Sequence, residues 1–387
     1  MERVFRFFQD PGTHFFLFGP RGTGKTTWLQ AMIPDSLRID LLLPFEQRLY
    51  EARPERLLDL VGPPGKGLKT VVVDEVQRVP QLLPLVHHQI EQRKDLRFIL
   101  TGSSARKLKR SGVDLLGGRA LIRWMPPFMA AELTQAFDLA RALRVGMLPL
   151  VWQSPDPEDT LHAYLALYIR EEVQAEGLVR NLGGFARFTE AISFSQASPL
   201  NLAEVSRECG VGRKTVEGYL EVLEDLMLSF RLPVFTRRAQ RHLASHPKFF
   251  WFDAGVFQAA CPAGPLDRPS ELAGPALEGL VAQHLKAWND LGGQRHQLGY
   301  WRTKSGSEVD FVVYGPLGFW AIEVKHAREA HRTDTRALRS FLEDYPESQA
   351  LLLYRGKDIL DLDGVMALPV EDFLLQLRPN RGLWPAS

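Results

Sequence analysis

The chain has 387 residues, 45% apolar and 24% charged, and its 47 basic and 46 acidic side chains leave a formal charge of +1. That length allows two or three domains with real cores. That balance excludes binding of nucleic acid through bulk charge, so only a local patch would hold it. No apolar run reaches the roughly 18 residues a membrane span needs. Cys209 and Cys261 form neither a metal-ligand cluster nor a disulfide framework. With an N-terminus, MERVFRFFQDPG, that lacks a secretory apolar core, they point to a reduced, cytoplasmic protein.

Residues 14–18 (HFFLF) read as a short buried strand, and GPRGTGKTTWLQAM as a loop entering a helix. Gly19-Pro20-Arg21-Gly22-Thr23-Gly24-Lys25-Thr26 fits G-x-x-x-x-G-K-[ST] without a gap, in the strand-to-helix context the motif requires. The glycines let backbone N–H groups close around phosphate, and the helix N-terminus adds a favourable field. Lys25 would reach the β- and γ-phosphates and Thr26 would ligate Mg²⁺. Thr27 completes the nucleotide-binding set. A second strand, residues 70–73 (TVVV), ends in Asp74, which would hold the Mg²⁺ through water, and Glu75, which would polarise the attacking water. A third, residues 97–100 (RFIL), ends in Thr101, placed to sense γ-phosphate. Apolar strands alternating with helices predict a mainly parallel α/β sheet. Arg119, after Gly117-Gly118 and before the apolar ALIRW, would serve as an arginine finger in a neighbouring subunit, with Arg123 its weaker rival.

FGPRGTGKTT, VVVDEVQRVP, ILTGSSARKL, GGRA and the later KFFWFDAGVFQAA resemble the prokaryotic AAA-type ATPases with a C-terminal DUF4143 domain. The likeness covers nearly the whole chain, with Lys248, Asp253 and Gly255 among its matching positions. It implies an AAA-type P-loop ATPase domain over residues 1–145. GMLPLVW at 146–152 departs from the more glycine-rich turn usual there.

Residues 146–262 read as a mostly helical domain punctuated by Pro155, Pro157, Pro199 and Pro233. LAEVSRECGVGRKTVEGYLEVLEDLMLSFRL (202–232) has a helix-turn-helix rhythm. Gly210 is at its turn, and Arg213, Lys214 and Thr215 open the second helix, where a DNA reader meets phosphate or base edges. A following hairpin would make it winged-helix-like. From Leu226 to Phe252 there are five basic residues and no acidic one: Arg231, Arg237, Arg238, Arg241 and Lys248. Such a patch would bind phosphates in a salt-sensitive way.

Residues 263–387 predict a small α/β domain. An irregular connection at 261–275 precedes a helix at Ala276–Trp288. Strands follow at 296–302, 308–314 and 319–325, then a helix at 333–343 and a strand at 349–354. The stretch GSEVDFVVYGPLGFWAIEVKH sets Asp310, Glu323 and Lys325 among the charges of two apolar strands. Alternation puts Ile322 and Val324 on one face and Glu323 and Lys325 on the other; Asp310 shares parity with Val312, opposite Val309 and Phe311. A turn at Gly315–Gly318 would set Asp310 beside Glu323, where two carboxylates repel unless a cation sits between them. Mg²⁺ or Mn²⁺ would suit such oxygens, with the Val324 carbonyl and Glu278 as further ligands and Lys325 orienting water. Arg302 and Lys304 would contact phosphate or form a solvated edge.

Glu278, Asp310, Glu323 and Lys325 resemble the PD-(D/E)xK nuclease pattern, although Val309 stands where that motif has proline. The resemblance implies a C-terminal restriction-endonuclease-like α/β domain. The expectation is an ATPase that binds DNA, including branched DNA, and cleaves it with a divalent metal. It would work as a homo-oligomer, such as a ring, away from membranes. Two other functions stay open: a DNA-binding ATPase or translocase with a non-cleaving nuclease-like domain, and a nucleotide switch that binds a partner protein.

Overall fold

A computed structural model describes residues 4–63, 67–103, 116–169, 173, 181–237, 246–262 and 269–384. They fall into two compact units. One comprises Phe8–Pro126 with Asp225–Met227; the other comprises Met1–Phe7, Pro127–Glu224 and Leu228–Ser387.

The Phe8–Pro126 unit is built on a five-stranded parallel sheet: β1 (Phe15–Phe18), β2 (Leu37–Asp40), β3 (Thr70–Asp74), β4 (Arg97–Gly102) and β5 (Leu121–Trp124). The order is β2-β3-β4-β1-β5. Phe15–Phe18 and Thr70–Asp74 are buried throughout, which is why they are almost continuously apolar. Helix α1 (Lys25–Met32) starts at Gly24, whose φ of 89° is left-handed and costs glycine little. Helix α2 (Leu82–Gln92) packs Leu82, Leu83, Val86 and Ile90 into the same core as Phe98 and Leu100. Because β4 lies between β1 and β3, the ends of all three strands converge near the start of α1. The strand Leu37–Asp40 was not anticipated. It is an edge strand with one fully buried residue, Ile39, so its apolar signal is faint.

In the other unit, helix α3 (Leu182–Ser193) precedes α4 (Leu202–Cys209) and α5 (Arg213–Asp225). A three-stranded antiparallel sheet of β6 (Ser198–Pro199), β7 (Ser229–Leu232) and β8 (Lys248–Trp251) has the order β6-β8-β7. Asp253 caps the next helix, α6 (Ala254–Ala260), and also accepts the Met147 N–H at 2.7 Å. Gly146, with φ of 76°, passes so close that a Cβ there would overlap the Asp253 carboxylate. This explains why GMLPLVW needs its single glycine. Helix α7 (Pro269–Leu291) begins earlier and ends later than expected, and takes in Pro275.

The six-stranded sheet has the order β13-β14-β12-β11-β10-β9. Its strands are β9 (Gln297–Arg302), β10 (Glu308–Gly315), β11 (Gly318–Lys325), β12 (Gln349–Tyr354), β13 (Leu360–Asp361) and β14 (Met366–Pro369). Phe311, Val313 and Ile322 share a core with Leu277, Leu280 and Val281 of α7. Val309, Val312 and Ala321 share another with Leu338 and Phe341 of α8 (Arg336–Asp344). This corrects the expected alternation, because Val309 and Val312 lie in one core and Phe311 in the other. Between the pairs Val309–Trp301 and Val312–Gly299 the register slips. Asp310 and Phe311 therefore stand against Tyr300 alone, a β-bulge that re-aims the side chains beside it. Among the described residues, no helix is long and apolar enough to cross a membrane.

Candidate nucleotide site and acidic cluster

The loop from Gly19 to Lys25 joins β1 to α1. A Cβ at Gly19 would lie 2.5 Å from the Met125 carbonyl oxygen, so only glycine lets the loop pass β5 this closely. Gly22 has φ of 83°. Lys25 is buried, and its Nζ donates to the carbonyls of Gly19 (2.6 Å) and Pro20 (3.2 Å). Thr23 braces the loop through a hydrogen bond to the Pro20 carbonyl (2.9 Å). Arg21 and Thr27 lie in the same segment, Thr27 in the first turn of α1.

Three elements meet at Asp74. The Thr26 hydroxyl donates to Asp74 Oδ2 (2.7 Å), and the Thr101 hydroxyl donates to Asp74 Oδ1. Thr101 Oγ1 also accepts the Glu75 N–H (3.1 Å). Glu75 adopts φ 57°, ψ 48°, a left-handed conformation uncommon outside glycine, and its carboxylate accepts from Gln77. The Thr26 hydroxyl and the Asp74 carboxylate are hard oxygen donors at a helix N-terminus, so this pair fits Mg²⁺. When bound, the ion would neutralise charge on the β- and γ-phosphates.

Arg119 is exposed. Its Nη2 pairs with Glu91 Oε1 on α2 at 2.6 Å and holds that carboxyl below its usual range. Arg123 is half-buried, with Nη1 on the Ile122 carbonyl (3.0 Å).

The second charged centre lies where β8, α7 and β10 meet. The ladder between β10 and β11 ends at Phe311 opposite Ile322. One step further, where Asp310 and Glu323 would pair, Asp310 Oδ2 accepts the Val324 N–H at 2.9 Å. Val324 thus meets the cluster through a donor. Asp310 Oδ1 faces Lys248 Nζ at 3.1 Å. Glu278 Oε1 lies 2.8 Å from the same ammonium, and Glu308 Oε1 2.7 Å. Glu308 is in turn bridged by Arg302 (3.1 Å), while Lys304 is exposed. Glu323 pairs with Lys325 at 2.7 Å, and its other carboxylate oxygen is buried without a partner among the described residues.

Burial alone would lower the Lys248 pKa, but Asp310, Glu278 and Glu308 outweigh it and hold the ammonium well above the usual lysine range. Burial, then the Asp310 charge, push the Glu278 and Glu323 carboxyls up. Lys325 is raised too, with burial opposing and Glu323 prevailing. The acids expected to hold a metal are here committed to ammonium and N–H donors. Among the described residues, no group of three or more His, Cys, Asp or Glu side chains is arranged to hold a metal ion. As they stand, these residues do not fit Mg²⁺ or Mn²⁺. Lys248 and Glu308 were missed as members of the cluster. The available signal was KFFWF, a lysine leading an all-aromatic run.

Members of the expected basic patch have other partners. Arg231 is spent on both oxygens of Glu224 (2.6 and 2.7 Å). Arg237 stacks on Tyr314, 4.7 Å from the ring centroid, and Lys248 is buried. Arg238 and Arg241 lie outside the described residues. Helices α4 and α5 follow one another across residues 210–212. Gly210 caps α4 with φ 65°, Val216 and Leu220 are buried, and Arg213, Lys214 and Thr215 are exposed.

Residues 12–134 match the AAA domain family, 136–267 a domain of unknown function (DUF8612) and 273–373 another (DUF4143). No curated protein matches. Among solved structures, the protein VC1899 from Vibrio cholerae is 12% identical, with 94% of this chain and 96% of that one covered and a TM-score of 0.22. A type III CRISPR defence DNA nuclease activated by cyclic oligoadenylate is 13% identical, with a TM-score of 0.20; 95% of this chain is covered, and it spans 50% of that one. At TM-scores this low neither likeness bears on function. The P-loop geometry and the family match agree, and the chain carries an AAA domain, implying use of nucleotide, at residues 12–134 and a DUF4143 domain at 273–373.

Proposed function

We propose that the protein is an ATPase that binds DNA through α4 and α5, and that its C-terminal domain resembles a nuclease without cleaving. The observation that carries the ATPase part is the chain of hydrogen bonds from Thr26 through Asp74 to Thr101. It links the phosphate loop, the acid-bearing strand and the sensing strand in one network. Lys25 would exchange its carbonyl partners for phosphate oxygens. Glu75 is the candidate for polarising water, and its left-handed backbone is the kind of local strain found at working sites. Arg119, exposed beside the edge strand β5, is the candidate to complete the site of another copy in a homo-oligomer.

DNA binding rests on exposed Arg213, Lys214 and Thr215 at the start of α5. The non-cleaving part rests on Lys248 among the acids where a metal would be needed. A second reading, a nucleotide switch for a partner protein, is favoured by Glu217, Glu221 and Glu224 further along α5, and by Arg231 being already paired.

ATP turnover and anisotropy of labelled duplex, single-stranded and four-way-junction DNA test this. Wild type should bind DNA and be stimulated by it, and Arg213→Glu/Lys214→Glu should lose both. ATP turnover indifferent to every DNA would favour the protein switch. Any metal-dependent product lost in Asp310→Ala would overturn the non-cleaving part.

A further inference from the structure

We propose that Lys248 is a built-in cation: its ammonium stands in the acidic cluster in place of a divalent metal and joins the three-stranded sheet to the C-terminal sheet. This deepens the non-cleaving reading and rests on it.

An ammonium has three N–H donors and no acceptor. Here three carboxyl groups from α7 and β10 lie within 2.7–3.1 Å of it, so every donor has an acidic partner. The Tyr300 ring, its centroid 5.4 Å from Nζ, adds a further favourable face. The side chain has 0% exposure, which leaves the nitrogen nothing to offer solvent or a substrate. Several of the remaining carboxylate oxygens are also taken. Asp310 gives its second oxygen to Val324, Glu308 its second to Arg302, and Glu323 its first to Lys325.

Oxygens at 2.7–3.1 Å suit hydrogen bonds to nitrogen, whereas Mg²⁺ demands oxygens at about 2.0–2.1 Å and a near-octahedral shell. The bulge at Asp310 turns that carboxylate to the α7 side, where Glu278 and Lys248 lie. The lysine reaches it from β8, which is 62 residues earlier in the chain. A metal would have held together only acids of the C-terminal domain. The lysine instead makes the cluster a joint between two sheets.

The proposal predicts that the acids are a latent metal site, masked by Lys248. Mn²⁺ binding to the nucleotide-free full chain, followed by electron paramagnetic resonance and by thermal melting, tests it. Wild type should hold no Mn²⁺ that Glu278→Gln removes. Lys248→Ala should bind Mn²⁺ about tenfold or more tightly than wild type, since the same carboxylates are left without the ammonium that competes for them. It should also melt higher with Mn²⁺, and Lys248→Ala/Asp310→Asn should lose both gains. A wild-type Mn²⁺ site that Glu278→Gln abolishes would overturn the proposal, as would a folded Lys248→Ala that gains none. If Lys248→Ala does not fold, the comparison of wild type with Glu278→Gln still decides. DNA cleavage by wild type would overturn the non-cleaving reading by a separate readout.

Discussion

Lys25 and Lys248 are both buried, yet they are opposites. Lys25 donates to the Gly19 and Pro20 carbonyls, neutral acceptors of its own loop. Lys248 is enclosed by Glu278, Glu308 and Asp310. Both ammoniums make charge-assisted hydrogen bonds, but only a charged acceptor adds the direct attraction of opposite charges. An arriving phosphate therefore outbids the partners of Lys25, whereas nothing on an ordinary substrate outbids those of Lys248. The lesson is that burial alone does not mark a working lysine. The charge of its resting partners decides whether it is held ready or locked.

The largest expected effect lies at the ready lysine. Lys25→Ala should lower ATP turnover by about 10²–10³-fold, the scale for removing one preorganised charge-stabilising donor, with little change in melting. Glu75→Gln should retain nucleotide and lose turnover. The locked lysine should behave in reverse. Lys248→Ala should cost about 3–5 kcal/mol of stability, because it strands buried carboxylates. Denaturant unfolding would measure this. Replacing the acids as well, in Lys248→Met/Glu278→Gln/Asp310→Asn, should recover much of the loss. If Lys248→Ala instead melts like wild type and loses ATP turnover, the comparison fails.

The two centres were not equally legible. The nucleotide loop is contiguous, so Gly19 to Thr26 could be read directly. Its distant partners Asp74 and Thr101 were found because each ends a buried strand. The cluster around Asp310 depends on contacts that spacing does not encode. Strand parity assumes an unbroken ladder, and the slip between Val309 and Val312 broke it. Counting charges from Leu226 to Phe252 made Lys248 and Arg231 look like one phosphate-binding patch. Each has an acidic partner elsewhere, at Glu278 and Glu224. Helix α7 was expected only from Ala276, because Pro275 and the prolines before it read as punctuation.

A third cationic side chain sharpens the contrast by being held neutral. His284 is on α7, as is Glu278, and is fully buried with no carboxylate partner among the described residues. Its Nε2 accepts the Ala130 N–H (3.0 Å), and Nδ1 lies 2.7 Å from the Leu280 carbonyl. With Nε2 as an acceptor, Nδ1 must be the donor, so the ring is neutral. Burial lowers its pKa from 6.5 to about 4. The unfolded chain binds a proton below about pH 6.5 that the folded chain refuses until about pH 4. Stability is therefore present above that window and lost as pH falls through it, by about 3 kcal/mol in all. Melting curves of wild type between pH 7 and 4 should show this loss. His284→Leu should start less stable, because the Ala130 N–H is orphaned, and should lose less on acidification.

The smallest stability effect is expected at an exposed cation. Arg119 is 42% exposed in its pair with Glu91, and solvent-screened pairs of this kind add little to stability. Arg119→Ala should thus barely change melting, and Glu91→Gln likewise. Turnover is the informative readout. If Arg119 completes a neighbour's site, Arg119→Ala should cut turnover strongly, and wild-type turnover per chain should rise with protein concentration. Mixing Arg119→Ala with Lys25→Ala should then restore activity, because each supplies what the other lacks. Turnover unchanged in Arg119→Ala would leave the arginine as an ordinary partner of Glu91. Lys25 would then be the one cation of these three whose loss stops turnover while leaving the fold intact.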